Sequence, residues 1–271
     1  MSIDALFTLR RMYRIFRDDG RSLIVAMDHG SGLDVYPALV DPARVLDAVI
    51  AGGADAILTT PGILKRFASR LKSAGVILRV DGGNTQLGEN AGAYRLLYSV
   101  EEALQWGADA VACMGFPGSP FEQETLENLA ALAGQCHTWG VPVMAEMVPG
   151  GFSNVHLYTP ENIRLAVRVG IELGADFVKT AYTGSKESFR SVIEHAYRPV
   201  LVLGGGKVDD ARAFFTMVRE ALDAGAAGVA VGRNIWGHEH PRAMVAALNS
   251  LIHEKAAPDE ALDILANESP R

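Results

Sequence analysis

The chain has 271 residues, 49% of them hydrophobic and 21% charged, with a formal net charge of -7 and a pI of about 5.5. A chain of this length buries a substantial core without disulfide or metal staples, and its acidic balance excludes a general nucleic-acid or anionic-membrane binder, which needs a basic face. Cys113 and Cys136 lie outside any C-x-x-C motif and make no disulfide framework, so a reducing, cytoplasmic location is the expectation.

The opening stretch, MSIDALFTLRRMYRIFRDDG, has arginines spread through its apolar residues. It reads as a short amphipathic helical segment over 1–20 rather than a signal peptide. No apolar stretch approaches the ~18 residues of a membrane span. Next come apolar, often β-branched runs: SLIVAMDH (22–29), AILTT (56–60), GVILRVDG (75–82), AVACMGF (110–116), PVMAEMVP (142–149), DFVKTAY (176–182), PVLVLGGG (199–206) and GVAVGRN (228–234). These eight runs are continuous rather than alternating, as strands covered on both faces are.

Helical patterns separate them, most clearly over 122–140, 159–175 and 208–226. Thr159-Pro160 and Asp209-Asp210 supply starts, and Gly140, Gly174 and Gly225 supply stops. A weak repeat, GGADA (52–56), WGADA (106–110), LGADF (173–177) and AGAAG (224–228), joins helix to strand before every second run. Eight strands, each followed by a helix, predict a single α/β domain over 1–271, a (β/α)8 TIM barrel ending in a helical tail at 258–271. An open doubly wound sheet is the alternative.

In such barrels the active site lies at the C-terminal ends of the strands. Those ends carry Asp28 and His29, Arg79 and Asp81, Cys113, Glu146, Lys179 and Tyr182, then Gly204-Gly205-Gly206-Lys207 and Gly232-Arg233-Asn234. Glycine turns on the last two strands let backbone N–H groups approach a phosphate, with Arg233 or Lys207 adding charge; taken singly, either turn is merely tight. Lys179 sits in an apolar run, where desolvation disfavours the ammonium form and makes the amine a nucleophile for Schiff-base chemistry. Read alone, the stretch favours a strand-end lysine that snorkels to water or pairs with a carboxylate, and the phosphate site nearby turns the reading toward chemistry.

Asp28 is its natural partner, as hydrogen-bond acceptor or proton shuttle. His29 ranks below it, because neighbours on a strand point to opposite faces. Glu146 is a second acid/base candidate or an ion-pair partner of Lys179 or Arg79. His238 and His240 lie in a polar loop, and no H-E-x-x-H or carboxylate cluster at ligand spacing occurs. A lysine-based reaction calls for neither metal nor cofactor.

Together LIVAMDHG, DFVKTAYTG, VLGGGKV and GVAVGRNIWGHEHPRAM resemble the DhnA-type class I aldolases over roughly residues 20 to 265. That family includes archaeal-type fructose-bisphosphate aldolase, the heptulosonate synthase of archaeal aromatic biosynthesis, and the autoinducer-2 thiolase. The resemblance implies a Schiff-base lysine at Lys179, the strand-one aspartate at Asp28, and a phosphate site at Gly204, Gly205, Gly232 and Arg233. It also implies homo-oligomers, pentamers or decamers.

One stretch departs from the pattern. Where fructose-bisphosphate aldolases of this type carry W-x-Y-P-R-G, this chain has EMVPGG, with Glu146, Val148 and Gly150 in place of the tryptophan, the proton-transferring tyrosine and the arginine. Glu146, Tyr182, His156 or Tyr158 then takes over the proton, or the reaction differs. The expected function is a metal-independent class I aldolase acting on a phosphorylated ketose or a dihydroxyacetone phosphate donor. A thiolase-like transferase of the 3-hydroxy-5-phosphonooxypentane-2,4-dione type and a heptulosonate-synthase-like transaldolase are the alternatives within the family. A barrel that binds a sugar phosphate without catalysis is the alternative outside it.

Overall fold

The computed structural model describes residues 9–32, 35–88 and 93–268. Its strands are β1 (Ser22–Ala26), β2 (Ala56–Thr59), β3 (Gly75–Arg79), β4 (Ala110–Gly115), β5 (Val143–Met147), β6 (Phe177–Thr180), β7 (Val200–Leu203) and β8 (Gly228–Val231). All are parallel, and β1 pairs with both β2 and β8, which closes the ring. The eight runs expected as strands are these eight. A further short antiparallel pair, Asp81–Gly82 with Arg95–Leu96, follows β3 and was not anticipated.

Every strand is followed by a helix: α1 (Pro42–Ala51), α2 (Pro61–Phe67), α3 (Val100–Gln105), α4 (Glu122–Trp139), α5 (Pro160–Glu172), α6 (Lys186–Glu194), α7 (Ala211–Ala224) and the short α8 (Arg233–Trp236). After them come α9 (Pro241–His253) and α10 (Pro258–Glu268). The helix ends follow the punctuation in the sequence. Thr159 accepts a hydrogen bond from the Asn162 backbone N–H, and Gly140 and Gly225 close their helices with φ of 61° and 111°. Helix α7 starts later than the 208 expected, because Val208 donates its N–H to Asn234 Oδ1 and stays in the loop after β7. No helix among the described residues is long and apolar enough to cross a membrane.

Alternation along the strands divides the core in two. Ile24, Leu58, Ile77, Met144, Phe177 and Leu201 gather in one buried cluster inside the ring, and Val25, Ile57, Leu78, Val178 and Val202 pack outward under the helices. Part of the expected N-terminal helix, residues 1–8, lies outside the described residues, as do 269–271 of the expected tail. What is described is a 3-10 helix over Arg10–Arg14, after which Ile15 and Phe16 enter the inner cluster. Phe16 meets Phe177 edge to face at 5.3 Å, so this segment plugs the N-terminal end of the barrel. Gly75 is needed there: a Cβ would strike the Arg14 carbonyl oxygen.

The weak repeat has a physical basis. Asp55, Asp109 and Asp176, one in each G-A-D copy, accept hydrogen bonds from the backbone N–H groups of Leu23, Val76 and Val143, at 2.7, 2.9 and 2.9 Å. Each aspartate ties the start of an even strand to its odd neighbour. The AGAAG copy has Ala227 instead and bonds through backbone alone, to Val200.

Cys113 and Cys136 are buried, free thiols. Burial pushes both thiols up, Cys136 to about 12. Native protein at pH 8 is therefore expected to react with a thiol reagent roughly 100-fold or more slowly than denatured protein. Rapid native labelling would show that the shell around α4 opens readily.

Candidate active site

A cavity of about 330 Å3 opens at the C-terminal end of the barrel. Strand register sets its floor. Glu146 on β5 is the direct partner of Lys179 on β6, and Met114 on β4 is the partner of Glu146. Lys179, 6% exposed, places Nζ 2.7 Å from Glu146 Oε1. The other carboxylate oxygen, Oε2, accepts from Arg79 Nη2. Arg79, 3% exposed, also donates from Nε to Asp28 Oδ2 at 2.9 Å and from Nη1 to Asp81 Oδ1 at 3.3 Å. Asp81 in turn accepts from the Met114 backbone N–H at 2.7 Å. Glu146 thus makes both ion pairs that the sequence left as alternatives, and Arg79 is the hub.

The electrostatics follow from that hub. Burial works against the Arg79 cation, yet Glu146, Asp28 and Asp81 overcome it and hold the guanidinium well above its ordinary value. Burial likewise pushes Asp28 up, but Arg79 and Lys179 outweigh it, so Asp28 stays below the usual carboxylate value and is ionised. Asp81 goes the other way: its burial prevails over Arg79.

His29 lines the same cavity as Asp28, contrary to the strand-alternation argument. Strand β1 ends at Ala26, and His29 begins a 3-10 helix over His29–Ser31, so the period of two no longer applies. Its Nδ1 is buried without a hydrogen-bond partner among the described residues, 3.7 Å from Asp28 Oδ1, and its ring meets Tyr36 and Trp236 edge-on at 5.8 and 5.2 Å. Burial lowers its pKa, with Lys179 and Arg233 adding to the effect and Asp28 and Glu146 opposing it. The unfolded chain, with an ordinary histidine near 6.5, binds the proton first as pH falls. Stability is then fully present above about pH 6.5 and declines as pH drops toward the folded-state value. A fall in Tm between pH 7 and 5 is expected, smaller in His29→Asn; identical slopes would remove His29 from that linkage.

The glycine turns after β7 and β8 form the opposite wall. Gly204, Gly205, Gly206, Gly232 and Arg233 all line the cavity. Asn234 knits the turns together, donating from Nδ2 to the Gly204 and Gly206 carbonyls at 2.8 and 3.2 Å. Arg233 Nη2 donates to the Gly205 carbonyl at 2.7 Å, while its Nε is buried with no partner among the described residues. At Gly232 a Cβ would press on the Ala26 carbonyl oxygen and lie 2.6 Å from His29 Cε1, so only glycine fits between β8 and the end of β1.

Two expected site residues lie elsewhere. Tyr182 follows the end of β6 and turns outward, donating its hydroxyl to Glu220 Oε2 on α7 at 2.8 Å and packing on Phe189. Lys207 is exposed, with Nζ 3.9 Å from Asp209 Oδ1, and does not line the cavity. Of the other proton-carrier candidates, Tyr158 lines the cavity and donates to the Gly151 carbonyl at 3.2 Å, whereas His156 does not line it. Val148 is fully buried, beside Met114 and Phe116.

Sequence reasoning missed Tyr94, which the short antiparallel pair after β3 carries to the cavity wall against Phe116 at 5.4 Å. Burial raises both Tyr94 and Tyr158 to about 12. The signal for Tyr94 was weak: one aromatic residue in a Gly- and Asn-rich loop.

Comparison with known proteins adds a lineage. Residues 22–238 match the family model described as DeoC/LacD family aldolase. The 2-amino-3,7-dideoxy-D-threo-hept-6-ulosonate synthase of Halobacterium salinarum is 40% identical over 252 residues, covering 93% of this chain and 94% of that protein. An archaeal fructose 1,6-bisphosphate aldolase structure superposes with a TM-score of 0.83 at 33% identity, covering 90% of this chain and 98% of the other. A second structure of an archaeal fructose-1,6-bisphosphate aldolase, with the catalytic lysine covalently bound to the carbinolamine intermediate of the substrate, gives a TM-score of 0.82 at 33% identity, covering 89% of this chain and 98% of the other.

Proposed function

The chain belongs to the DeoC/LacD aldolase family and is a class I aldolase, and from that premise we propose that Lys179 is the amine that forms its Schiff base and that its substrate is a phosphorylated ketose built on dihydroxyacetone phosphate. The observation that carries the reading is the buried pair of Lys179 Nζ and Glu146 Oε1, 2.7 Å apart in a cavity that the two glycine turns also line.

Glu146 takes the ammonium proton, and the free amine attacks the ketone carbon. The same carboxyl group returns the proton to the carbinolamine hydroxyl, which leaves as water. The iminium then draws electrons from the adjacent carbon–carbon bond. That bond breaks as the hydroxyl of the departing half becomes an aldehyde, its proton passing to a carboxylate. Protonation and hydrolysis of the remaining enamine release the donor and restore Lys179. Asp28, ionised and fixed by Arg79, accepts hydrogen bonds from substrate hydroxyls. The unpartnered Nε of Arg233 and the glycine backbone receive the phosphate.

Identity to a heptulosonate synthase favours a second reading, in which the same enamine is handed to another acceptor. Borohydride trapping tests the shared chemistry. Incubation with dihydroxyacetone phosphate followed by reduction is expected to leave a stable mass increase on the peptide containing Lys179, and EDTA is expected to leave both trapping and turnover unchanged. No adduct with any phosphorylated ketone sinks the lysine mechanism. Adduct formation without cleavage of either fructose 1,6-bisphosphate or a ketose phosphorylated at C1 alone favours the transfer reading.

A further inference from the structure

The catalytic cavity runs on into an annex of about 250 Å3, sharing Tyr94, Phe152, Gln86 and Gly32 with it. Four aromatic rings line the annex. Phe116 meets Tyr94 at 5.4 Å and Phe152 at 5.8 Å, both edge to face, and Phe121 adds a fourth ring. Its polar lining is neutral, from side chains such as Ser119, Thr85 and Asn154; none of the described lining residues carries a charge.

The same bias runs through the sequence of the surrounding loops. Residues 30–40 after β1, 80–94 after β3, 116–121 after β4 and 148–158 after β5 contain no lysine and no arginine, and Arg95, the next residue along, is exposed, pairs with Glu124 and does not line the annex. Their single histidine, His156, does not line the annex. Asp34, Asp81 and Glu89 make these loops acidic where they are charged at all. On the floor, Arg79 and Lys179 are already committed to Asp28, Asp81 and Glu146. The cation with an unused buried donor, Arg233, stands on the β7–β8 wall beside the glycine turns. The mouth is therefore one-sided: anion-binding groups on one wall, rings and neutral hydrogen-bonding groups on the other.

We propose that the annex is the subsite for the aldehyde half and that it takes an uncharged, hydroxylated or aromatic aldehyde rather than a phosphorylated one. A phosphate dianion there gives up its hydration for no counter-charge, whereas rings and neutral donors and acceptors suit an apolar body with hydroxyls. This deepens the Schiff-base reading and rests on it. In the synthetic direction the enamine carbon of the trapped donor attacks the aldehyde carbon. One carbon–carbon bond forms, the aldehyde oxygen takes a proton, and water hydrolyses the iminium to free Lys179. The product is a ketose phosphorylated on its donor end alone.

With dihydroxyacetone phosphate as donor, kcat/KM is expected to be at least ~10-fold higher for D-glyceraldehyde than for D-glyceraldehyde 3-phosphate. Ser119→Arg, which sets a cation in the annex, is expected to narrow or reverse that ratio. Donor trapping run alongside separates the two levels. Trapping on Lys179 together with a preference for the phosphorylated aldehyde overturns the uncharged-acceptor assignment alone. Trapping with neither aldehyde consumed overturns the annex as acceptor site. No trapping removes the Schiff-base reading and this inference with it.

Discussion

Replacing Arg79 with methionine is expected to destabilise the protein by about 3–5 kcal/mol, the usual penalty for removing one partner from a buried ionic network. The guanidinium reaches Asp28, Asp81 and Glu146 at once, and it is 3% exposed. Without it three carboxylates converge on one hole, with Lys179 left to answer Glu146 alone. Methionine fills much of the volume, so the loss reports charge rather than a cavity. Lysine at 79 is expected to recover part of the stability, since an ammonium supplies the charge but not the fork that serves three partners. Urea unfolding of the three proteins at pH 7 gives the comparison. A loss under ~1 kcal/mol in Arg79→Met would mean the carboxylates neutralise or part without difficulty, and the hub would not be structural.

The barrel was legible because its signals are redundant. Eight doubly buried runs, capped helices and the G-A-D copies all point to the same architecture, and even the repeated aspartates proved to be hydrogen-bonding devices between neighbouring strands. The site was legible where strand geometry governs it. Lys179 and Glu146 are read correctly as facing one lumen because both sit within strands and in register. Legibility failed just beyond the strand ends. Tyr182 stands three residues past Lys179, so the same alternation that aims the lysine inward aims the tyrosine outward, a parity that grouping it with the strand-end residues overlooked. His29 erred in the opposite sense: alternation turned it away from the lumen, but the chain past Ala26 is a 3-10 helix that brings it back to the cavity.

Tyr94 and the annex were out of reach for another cause. They are built where loops after β1, β3, β4 and β5 meet, and no periodicity links residues that far apart in sequence. The missing tyrosine at Val148 therefore looked like an empty place in the sequence, while the fold sets Tyr94 and Tyr158 on the wall of the cavity that holds Lys179.

Lys179→Met is expected to lower kcat/KM at least ~10^4-fold, on the scale of removing the nucleophile from other covalent enzymes, while costing only about 1 kcal/mol of stability. The asymmetry with Arg79 comes from the contacts. Among the described residues Nζ of Lys179 has one ion-pair partner, Glu146 Oε1, and Glu146 keeps Arg79 on its other oxygen when the lysine is gone. Methionine retains most of the stem volume among Leu203, Met114 and Ala230 on the cavity lining. A residue whose loss silences the reaction but scarcely moves the unfolding midpoint is placed for chemistry, and one whose loss does the reverse is placed for architecture. If Lys179→Met unfolded as readily as Arg79→Met, the lysine would be a structural counter-ion for Glu146. If it kept more than about a tenth of the activity, the Schiff base would have to form elsewhere. Adding a primary amine such as ethylamine to a Lys179→Ala variant refines the test: partial recovery of turnover is expected if the deficit is the missing nucleophile, and none if it is a distorted floor.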